Sequence, residues 1–80
     1  MSQKSLIWVF RTVARAAVIS INRVTLDSYL EELGIDSLGM LQLLMRIDEE
    51  TDITLNDEEV GKLETVRSLF YILNAKGLTV

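Results

Sequence analysis

Apolar residues recur at helical spacing through most of this 80-residue chain, and the pattern predicts four helices. We expect them at about residues 5–19, 38–50, 57–62 and 66–76. The chain has no proline and only four glycines, which suits helices joined by short connections. The predicted fold is therefore all-α: one small domain built as a four-helix bundle, with a long first connection and a short third helix.

The first two predicted helices differ in how their apolar residues are distributed. In the first helix the residues expected to face inward are Leu6, Phe10, Val13, Ala14, Ala17 and Ile21. Arg11, Thr12 and Arg15 are expected on the exposed side, with Trp8 partly buried at its edge. The second helix is apolar nearly all round, so we expect it to be enclosed by its neighbours. Its narrow polar stripe consists of Gly39, Gln42, Arg46, Glu49 and Glu50.

Turn and capping signals mark the ends of these elements. Asn56 followed by Glu59 is a plausible helix start, and Thr65 is well placed to cap the last helix. Gly34 and Gly77 suit positions where the backbone turns with positive φ. The long connection is expected to contain a short helical turn at about residues 27–33.

Charge is divided unevenly along the chain, whose formal net charge is −4. Residues 1–23 carry four basic residues and no acid, whereas the rest carries all 12 acids. The acidic surface formed by residues 24–80 would repel the phosphate backbone of a nucleic acid, so we expect no nucleic-acid binding and favour basic protein partners.

The basic opening segment has three interpretations. It resembles an organellar transit peptide, it has the composition of a segment that lies on an anionic membrane, and it fits the first helix of the domain. Arg11 and Arg15 interrupt the apolar run, so we expect no transmembrane segment. We favour the first helix of the domain, because its removal would leave too little apolar surface to close a core.

The absence of cysteine and histidine restricts the chemistry of the chain. There is no disulfide, no thiol nucleophile, no cysteine-bound zinc and none of the usual neutral-pH base. The ligand positions of an EF-hand loop would be occupied by Asp48, Glu50, Asp52, Thr54, Asn56 and Glu59, but Ile53 occupies the position where that loop needs glycine. We therefore interpret them as a solvated acidic surface and predict no metal site, leaving weak divalent binding open.

Ser37 precedes the second predicted helix, and capping is its default role. The start is poorly optimised for capping, however, since Met40 replaces the acid of a capping box and Gly39 costs about 0.5–1 kcal/mol relative to alanine. A nucleophilic role is disfavoured, because the chain has no histidine, no lysine lies near Ser37 in sequence, and Asp36 is a weak base at neutral pH. The remaining interpretation is that Ser37 is acted upon, since an exposed hydroxyl at a helix N-terminus can carry a phosphate-containing group, and Gly39 would keep side-chain bulk away from that group.

The segment LEELGIDSLGMLQLLMRIDEE, residues 30–50, resembles the acyl carrier protein family. The hallmark of that family is a leucine-glycine-x-aspartate-serine-leucine motif opening the second helix, and it is represented here by Leu33, Gly34, Ile35, Asp36, Ser37 and Leu38. The similarity extends over about residues 29–73, while the first 25 residues match only in helical character and distance.

The resemblance implies a prosthetic group and a role. A phosphopantetheinyl transferase, with magnesium on its own side, would transfer 4′-phosphopantetheine from coenzyme A to Ser37, next to Asp36, Leu38 and Gly39. The thiol of the arm would hold acyl groups as thioesters, so the chain would be a carrier and not an enzyme. A groove lined by Leu38, Met45, Ile53 and Val60 is either a shelter for the acyl chain or ordinary core.

The same resemblance places partner enzymes on the polar stripe of the second helix, at Gln42, Arg46, Glu49 and Glu50. Acyl-transferring, condensing or ligating enzymes are the expected partners of a cytoplasmic monomer. The stripe is acidic only in its far half, which favours a specialised fatty-acid or polyketide-like pathway over housekeeping synthesis. Two alternatives stay open: a peptidyl or aminoacyl carrier, and an unmodified helical interaction module.

Overall fold

The computed structural model describes residues 3–80, which form an all-helical bundle. The helices are α1 (Gln3–Ala17), α2 (Ser37–Thr51), α3 (Asp57–Gly61) and α4 (Val66–Ala75), and a 3₁₀ turn occupies Ile21–Arg23. The predicted all-α fold with a long first connection and a short third helix is confirmed over this range. The core forms where α1 contacts α2 and α4, and its most deeply buried members are Val9, Val13, Leu30, Leu43, Ile47, Val66, Leu69 and Leu73.

The buried face of α1 is displaced from the predicted one. Val13 and Ala14 are buried as expected, but Val9 and Thr12 are buried too, although Thr12 was placed on the exposed side. Thr12 tolerates burial because its hydroxyl donates to the carbonyl oxygen of Trp8 at 2.7 Å, which satisfies its polar group within the helix. Ile21 was predicted to face inward and is exposed, so that prediction is wrong.

The prediction that α2 is enclosed on all sides is also wrong. Its buried residues are Gly39, Leu43 and Ile47, while Leu38, Leu41 and Met45 are each more than half exposed. These three residues lie three and four positions apart, so they share one outward face of the helix. The α2 helix therefore combines a core face with an uncovered apolar face.

The connection between α1 and α2 is fastened to the start of α4. The amide of Leu30 donates to Glu64 O at 2.9 Å, Val66 N donates to Ser28 O at 3.0 Å, and Arg67 N donates to Leu26 O at 2.8 Å. The expected helical turn is present as a single turn, in which Leu33 N donates to Tyr29 O at 3.0 Å. Leu30 is fully buried, so this connection is part of the core and holds the chain in place just before α2.

Both later helices start at the predicted caps. Asn56 and Glu59 form a capping box, with Glu59 N donating to Asn56 Oδ1 at 2.8 Å and Asn56 N donating to Glu59 Oε1 at 2.9 Å. Thr65 caps α4 in the same way, with Ser68 as the reciprocal partner. Gly34 and Gly77 both adopt φ of 95°, as expected for residues that end a helical turn.

The capping carboxylate of Glu59 also ties α3 to α4 and gives a testable pH dependence. The backbone hydrogen bond from Asn56, followed by the hydrogen bond from Lys76 Nζ at 2.9 Å, holds the pKa of Glu59 below its ordinary value of 4.5. A lowered pKa means that the ionised group stabilises the fold above 4.5, and that this stabilisation is lost as the pH falls through the folded-state pKa. We expect Glu59→Gln to destabilise the protein near neutral pH, and the difference from the wild type to shrink below 4.5.

Urea unfolding across this pH range measures the effect. Glu58→Gln is the matched control, since Glu58 belongs to the same helix but only approaches Lys62 at 3.7 Å on the open surface. Equal pH dependence of the two variants would contradict the role given to Glu59.

Val18 ends α1 in a conformation that is unfavourable for its residue type. It has φ of 57° and is 87% exposed, and Ile19 N closes the helix end by donating to Ala14 O at 3.0 Å. A branched side chain in this region costs about 1–2 kcal/mol, whereas asparagine tolerates it. We expect Val18→Asn to raise the free energy of unfolding by about 1 kcal/mol, seen as a melting temperature about 4–8 °C higher. Val18→Ala, which keeps a Cβ, should gain less, and a lower melting temperature for Val18→Asn would refute the assignment of strain.

Candidate functional site

Asp36, and not Ser37, caps the N-terminus of α2. Asp36 Oδ1 accepts a hydrogen bond from Gly39 N at 2.8 Å, and Asp36 O accepts one from Met40 N at 2.8 Å. Ser37 is the first helical residue, so the default capping role expected for it is wrong. Its side chain is exposed, and no hydrogen bond engages its hydroxyl within residues 3–80. The hydroxyl is therefore free for chemistry at the entrance of the helix.

Ile35 and Gly39 fix the position of this helix start. Ile35 is buried, and its amide donates to Leu30 O at 3.1 Å. Gly39 is buried as well, and a Cβ added there would lie 3.4 Å from both Ile35 Cγ2 and Asp36 Oδ1. The prediction that Gly39 lies on the exposed stripe is thus wrong. The first turn of α2 thus packs at contact distance onto Ile35 and the capping carboxylate.

The amide groups next to the Ser37 hydroxyl favour an anion. The N–H groups of Ser37 and Leu38 have no acceptor in the described part of the chain. They stand at the positive end of a 15-residue helix, where unpaired amides and the helix dipole stabilise phosphate. The capping carboxylate is already committed to Gly39, so it leaves these two amides open.

An open groove of about 960 Å³ adjoins Ser37. Tyr29, Ile35, Met40 and Leu63 give it an apolar lining, and Glu31 and Glu64 add acidic groups. This is not the groove expected beside α2. Of the residues expected beside α2, Leu38 and Met45 are exposed and Ile53 is buried, and none of them lines the groove next to Ser37; a shelter for the acyl chain stays a prediction.

The predicted partner-binding residues are all exposed on α2, namely Gln42, Arg46, Glu49 and Glu50. Leu38, Leu41 and Met45 are exposed on the same helix, whereas the prediction of an enclosed helix had counted all three among its covered apolar residues. The signal was present in their spacing, since positions 38, 41 and 45 recur at helical intervals distinct from those of Leu43 and Ile47.

The described residues give no support for a metal site or a membrane-spanning helix. Within 3–80, no three acidic side chains come together in an arrangement that could hold a metal ion. In the acidic segment after α2, Ile53 is buried and Thr54 Oγ1 donates to Asp48 Oδ1 at 3.3 Å. No helix in this range is long and apolar enough to cross a bilayer.

Comparison with known proteins identifies the family of this chain. The family model described as "Phosphopantetheine attachment site" matches residues 8–70, from α1 into α4. Acyl carrier protein of Bdellovibrio bacteriovorus is 40% identical over 50 residues, covering 62% of this chain and 64% of that protein. Acyl carrier protein of Buchnera aphidicola subsp. Schizaphis graminum is 48% identical over 48 residues, covering 59% of this chain and 61% of that protein.

A third relative, acyl carrier protein of Buchnera aphidicola subsp. Acyrthosiphon pisum (strain Tuc7), is 39% identical over 51 residues and is covered to 64%. The matched part of the chain thus spans less than two thirds of the length of these relatives. The relatives are carriers, which agrees with the prediction that the chain is not itself an enzyme. The chain belongs to the acyl carrier protein family, and 4′-phosphopantetheine is the prosthetic group of its attachment-site domain.

Proposed function

We propose that the chain is an acyl carrier whose 4′-phosphopantetheine is attached to Ser37. The observation that carries the proposal is the Ser37 hydroxyl at the start of α2, which is exposed and makes no hydrogen bond within the described residues. It lies within the motif of residues 33–38 that resembles the hallmark of the family. No other residue of that motif has a hydroxyl group.

The surroundings of Ser37 fit the phosphate of this prosthetic group. The free amides of Ser37 and Leu38 and the positive helix end favour a phosphodiester at this position. Asp36 keeps the helix start in place through its bond to Gly39, and it leaves the serine exposed to a transferase. The groove along Tyr29, Met40 and Leu63 gives room for the part of the group nearest to the serine. When bound, the group supplies the thiol on which an acyl chain is held as a thioester.

Deprotonation of Ser37 is assigned to the modifying enzyme. The chain has no histidine, and Asp36 is engaged in capping, so no local group is suited to activate the hydroxyl. The first partner is therefore a phosphopantetheinyl transferase that uses coenzyme A as donor.

The exposed face of α2 is the proposed docking surface for later partners. Leu38, Leu41 and Met45 offer an apolar contact, and Gln42, Arg46, Glu49 and Glu50 surround it with polar and charged groups. Apolar anchors within a polar rim are the usual organisation of a protein interface. We propose acyl-transferring, condensing or ligating enzymes as partners. A cytoplasmic location and a monomeric state stay predictions.

The charge pattern of α2 supports a specialised fatty-acid or polyketide-like pathway. Its exposed acids lie at Asp48, Glu49 and Glu50, whereas the polar stripe has the uncharged Gln42 nearer to Ser37 and the basic Arg46 in its middle. If that pattern excludes general fatty-acid enzymes, Gln42→Glu combined with Arg46→Glu should raise kcat/KM with such an enzyme by about tenfold at low salt. Asn22→Glu with Arg23→Glu makes the same change in net charge outside α2. Unchanged turnover, or equal gains from both pairs, would refute the pathway assignment.

The appearance of a thiol tests the proposed function. Because the chain contains no cysteine, it should not react with a thiol reagent before modification. After incubation with coenzyme A and a broad-specificity phosphopantetheinyl transferase, and removal of free coenzyme A, we expect one reactive thiol per chain. A chain that acquires no thiol, while a known acyl carrier protein does so in parallel, would instead be an unmodified interaction module.

A further inference from the structure

A basic patch lies at the end of α1, apart from the proposed attachment site. Arg11 and Arg15 of α1 and Arg46 of α2 surround an open depression of about 730 Å³, together with Val18 and Ile21 of the segment that follows α1. We call these five residues the basic patch. The fold thus brings the arginine of α2 together with the two arginines of the acid-free opening segment.

The three arginines of the patch have no acidic partner in the described part of the chain. The ion pairs found there join Lys62 to Glu58, Arg67 to Asp27 and Lys76 to Glu59. All three patch arginines are exposed. None of the three is therefore held in an ion pair within the described residues, although Glu49 and Glu50 follow Arg46 on α2; Arg11 and Arg15 belong to the segment without acids. Positive charge that is not held in an ion pair attracts an anionic partner.

Apolar side chains project from the same patch. Val18 is 87% exposed and Ile21 39% exposed. Val18 also holds its left-handed conformation at a position where asparagine or glycine would end the helix at lower free energy. Ile7, which is 49% exposed, lies one helical turn before Arg11 on the same face of α1. An exposed valine in a strained conformation contributes nothing to the core, which is consistent with a contact between its side chain and a partner of the protein.

We propose that the basic patch docks the carrier on an anionic lipid bilayer. Guanidinium groups around exposed apolar side chains suit the boundary between lipid phosphates and acyl chains. The guanidinium groups bind the lipid head groups, and the apolar side chains enter the acyl layer. A small anion would bind the arginines but leave Val18 in water. The rest of the chain carries all 12 acids, so an anionic surface would repel it and orient the molecule with the patch inward.

Sedimentation with lipid vesicles tests this docking, using the full chain carrying phosphopantetheine. We expect binding to vesicles of phosphatidylglycerol and phosphatidylcholine in equal parts, and none to pure phosphatidylcholine. Binding should weaken as salt is added, since ions screen the attraction between the arginines and the lipid phosphates. Arg15→Gln should lower the partition coefficient about fivefold, and Arg11→Gln with Arg15→Gln about 25-fold.

Two matched variants separate docking from net charge and from folding. Lys62→Gln removes one positive charge next to α3 and should leave the partition coefficient within about twofold of the wild type. Val18→Asn should reduce vesicle binding although it raises the melting temperature, so unfolding cannot explain that loss. Equal losses for Arg15→Gln and Lys62→Gln, or no binding to the anionic vesicles at low salt, would overturn the proposal.

Two further probes identify competing ligands of the patch. Inorganic phosphate that displaces the chain from vesicles at concentrations too low to act by screening would indicate a small-anion site. Binding of poly-glutamate in the absence of any vesicle binding would indicate an acidic protein partner. Either result would overturn the assignment to a bilayer.

Discussion

Replacing Ser37 with alanine should abolish attachment of phosphopantetheine while leaving the fold intact. Alanine is a good helix residue, and Asp36 supplies the cap, so the loss of the serine hydroxyl should cost little stability. The protein should keep its melting temperature within a few degrees, but show no gain in mass after incubation with coenzyme A and a transferase. Intact-mass spectrometry of the two proteins, treated in parallel, measures the difference.

Ser20→Ala is the control for this experiment. Ser20 is also exposed and also lies at a helix start, where its side chain accepts a hydrogen bond from Asn22 N at 3.3 Å. It lies outside the motif of residues 33–38, so its variant should be modified like the wild type. Full modification of Ser37→Ala, or loss of modification in Ser20→Ala, would place the attachment site elsewhere.

Replacing Leu30 with alanine should cause a large loss of stability. Leu30 is 2% exposed, although it lies in the connection between α1 and α2. Truncating a buried leucine costs about 2–5 kcal/mol, a large share of the stability of a domain this small. We expect the melting temperature to fall by roughly 10 °C or more, as measured by circular dichroism. Modification of Ser37 should also slow, because loss of the Leu30 side chain loosens the packing of the turn whose backbone carbonyl accepts the amide of Ile35 just before α2.

Tyr29→Ala is the matched control for Leu30. The two residues are adjacent and belong to the same turn, but half of Tyr29 is exposed. We expect its truncation to cost about 1 kcal/mol or less. Similar losses for both variants would show that the connection is not part of the core.

Local signals were sufficient for the elements that begin with a strong cap. The starts of α3 and α4 followed from Asn56 with Glu59 and from Thr65, because side-chain capping involves residues only three positions apart. The turns at Gly34 and Gly77 followed in the same way from residue type alone. Such features depend on neighbouring residues, so the sequence contains them directly.

Features that depend on tertiary packing could not be predicted from neighbouring residues in the sequence. Asp36 and Ser37 are both favoured caps, and the burial of Ile35 together with the close approach of Gly39 places Asp36 at the cap. Periodicity groups Leu38, Leu41 and Met45 on one face, but it does not tell whether another helix covers that face. The basic patch required tertiary contact as well, since it joins Arg46 to arginines of α1.

The intact mass of the protein purified from the organism that produces it tests the central claim most directly. If Ser37 is a tether for 4′-phosphopantetheine, the measured mass should exceed that of the unmodified polypeptide by one phosphopantetheinyl group, with or without an acyl chain. Fragmentation should place the added mass on the peptide that contains Ser37. A mass equal to that of the unmodified chain, unchanged after treatment with coenzyme A and a transferase, would contradict the account.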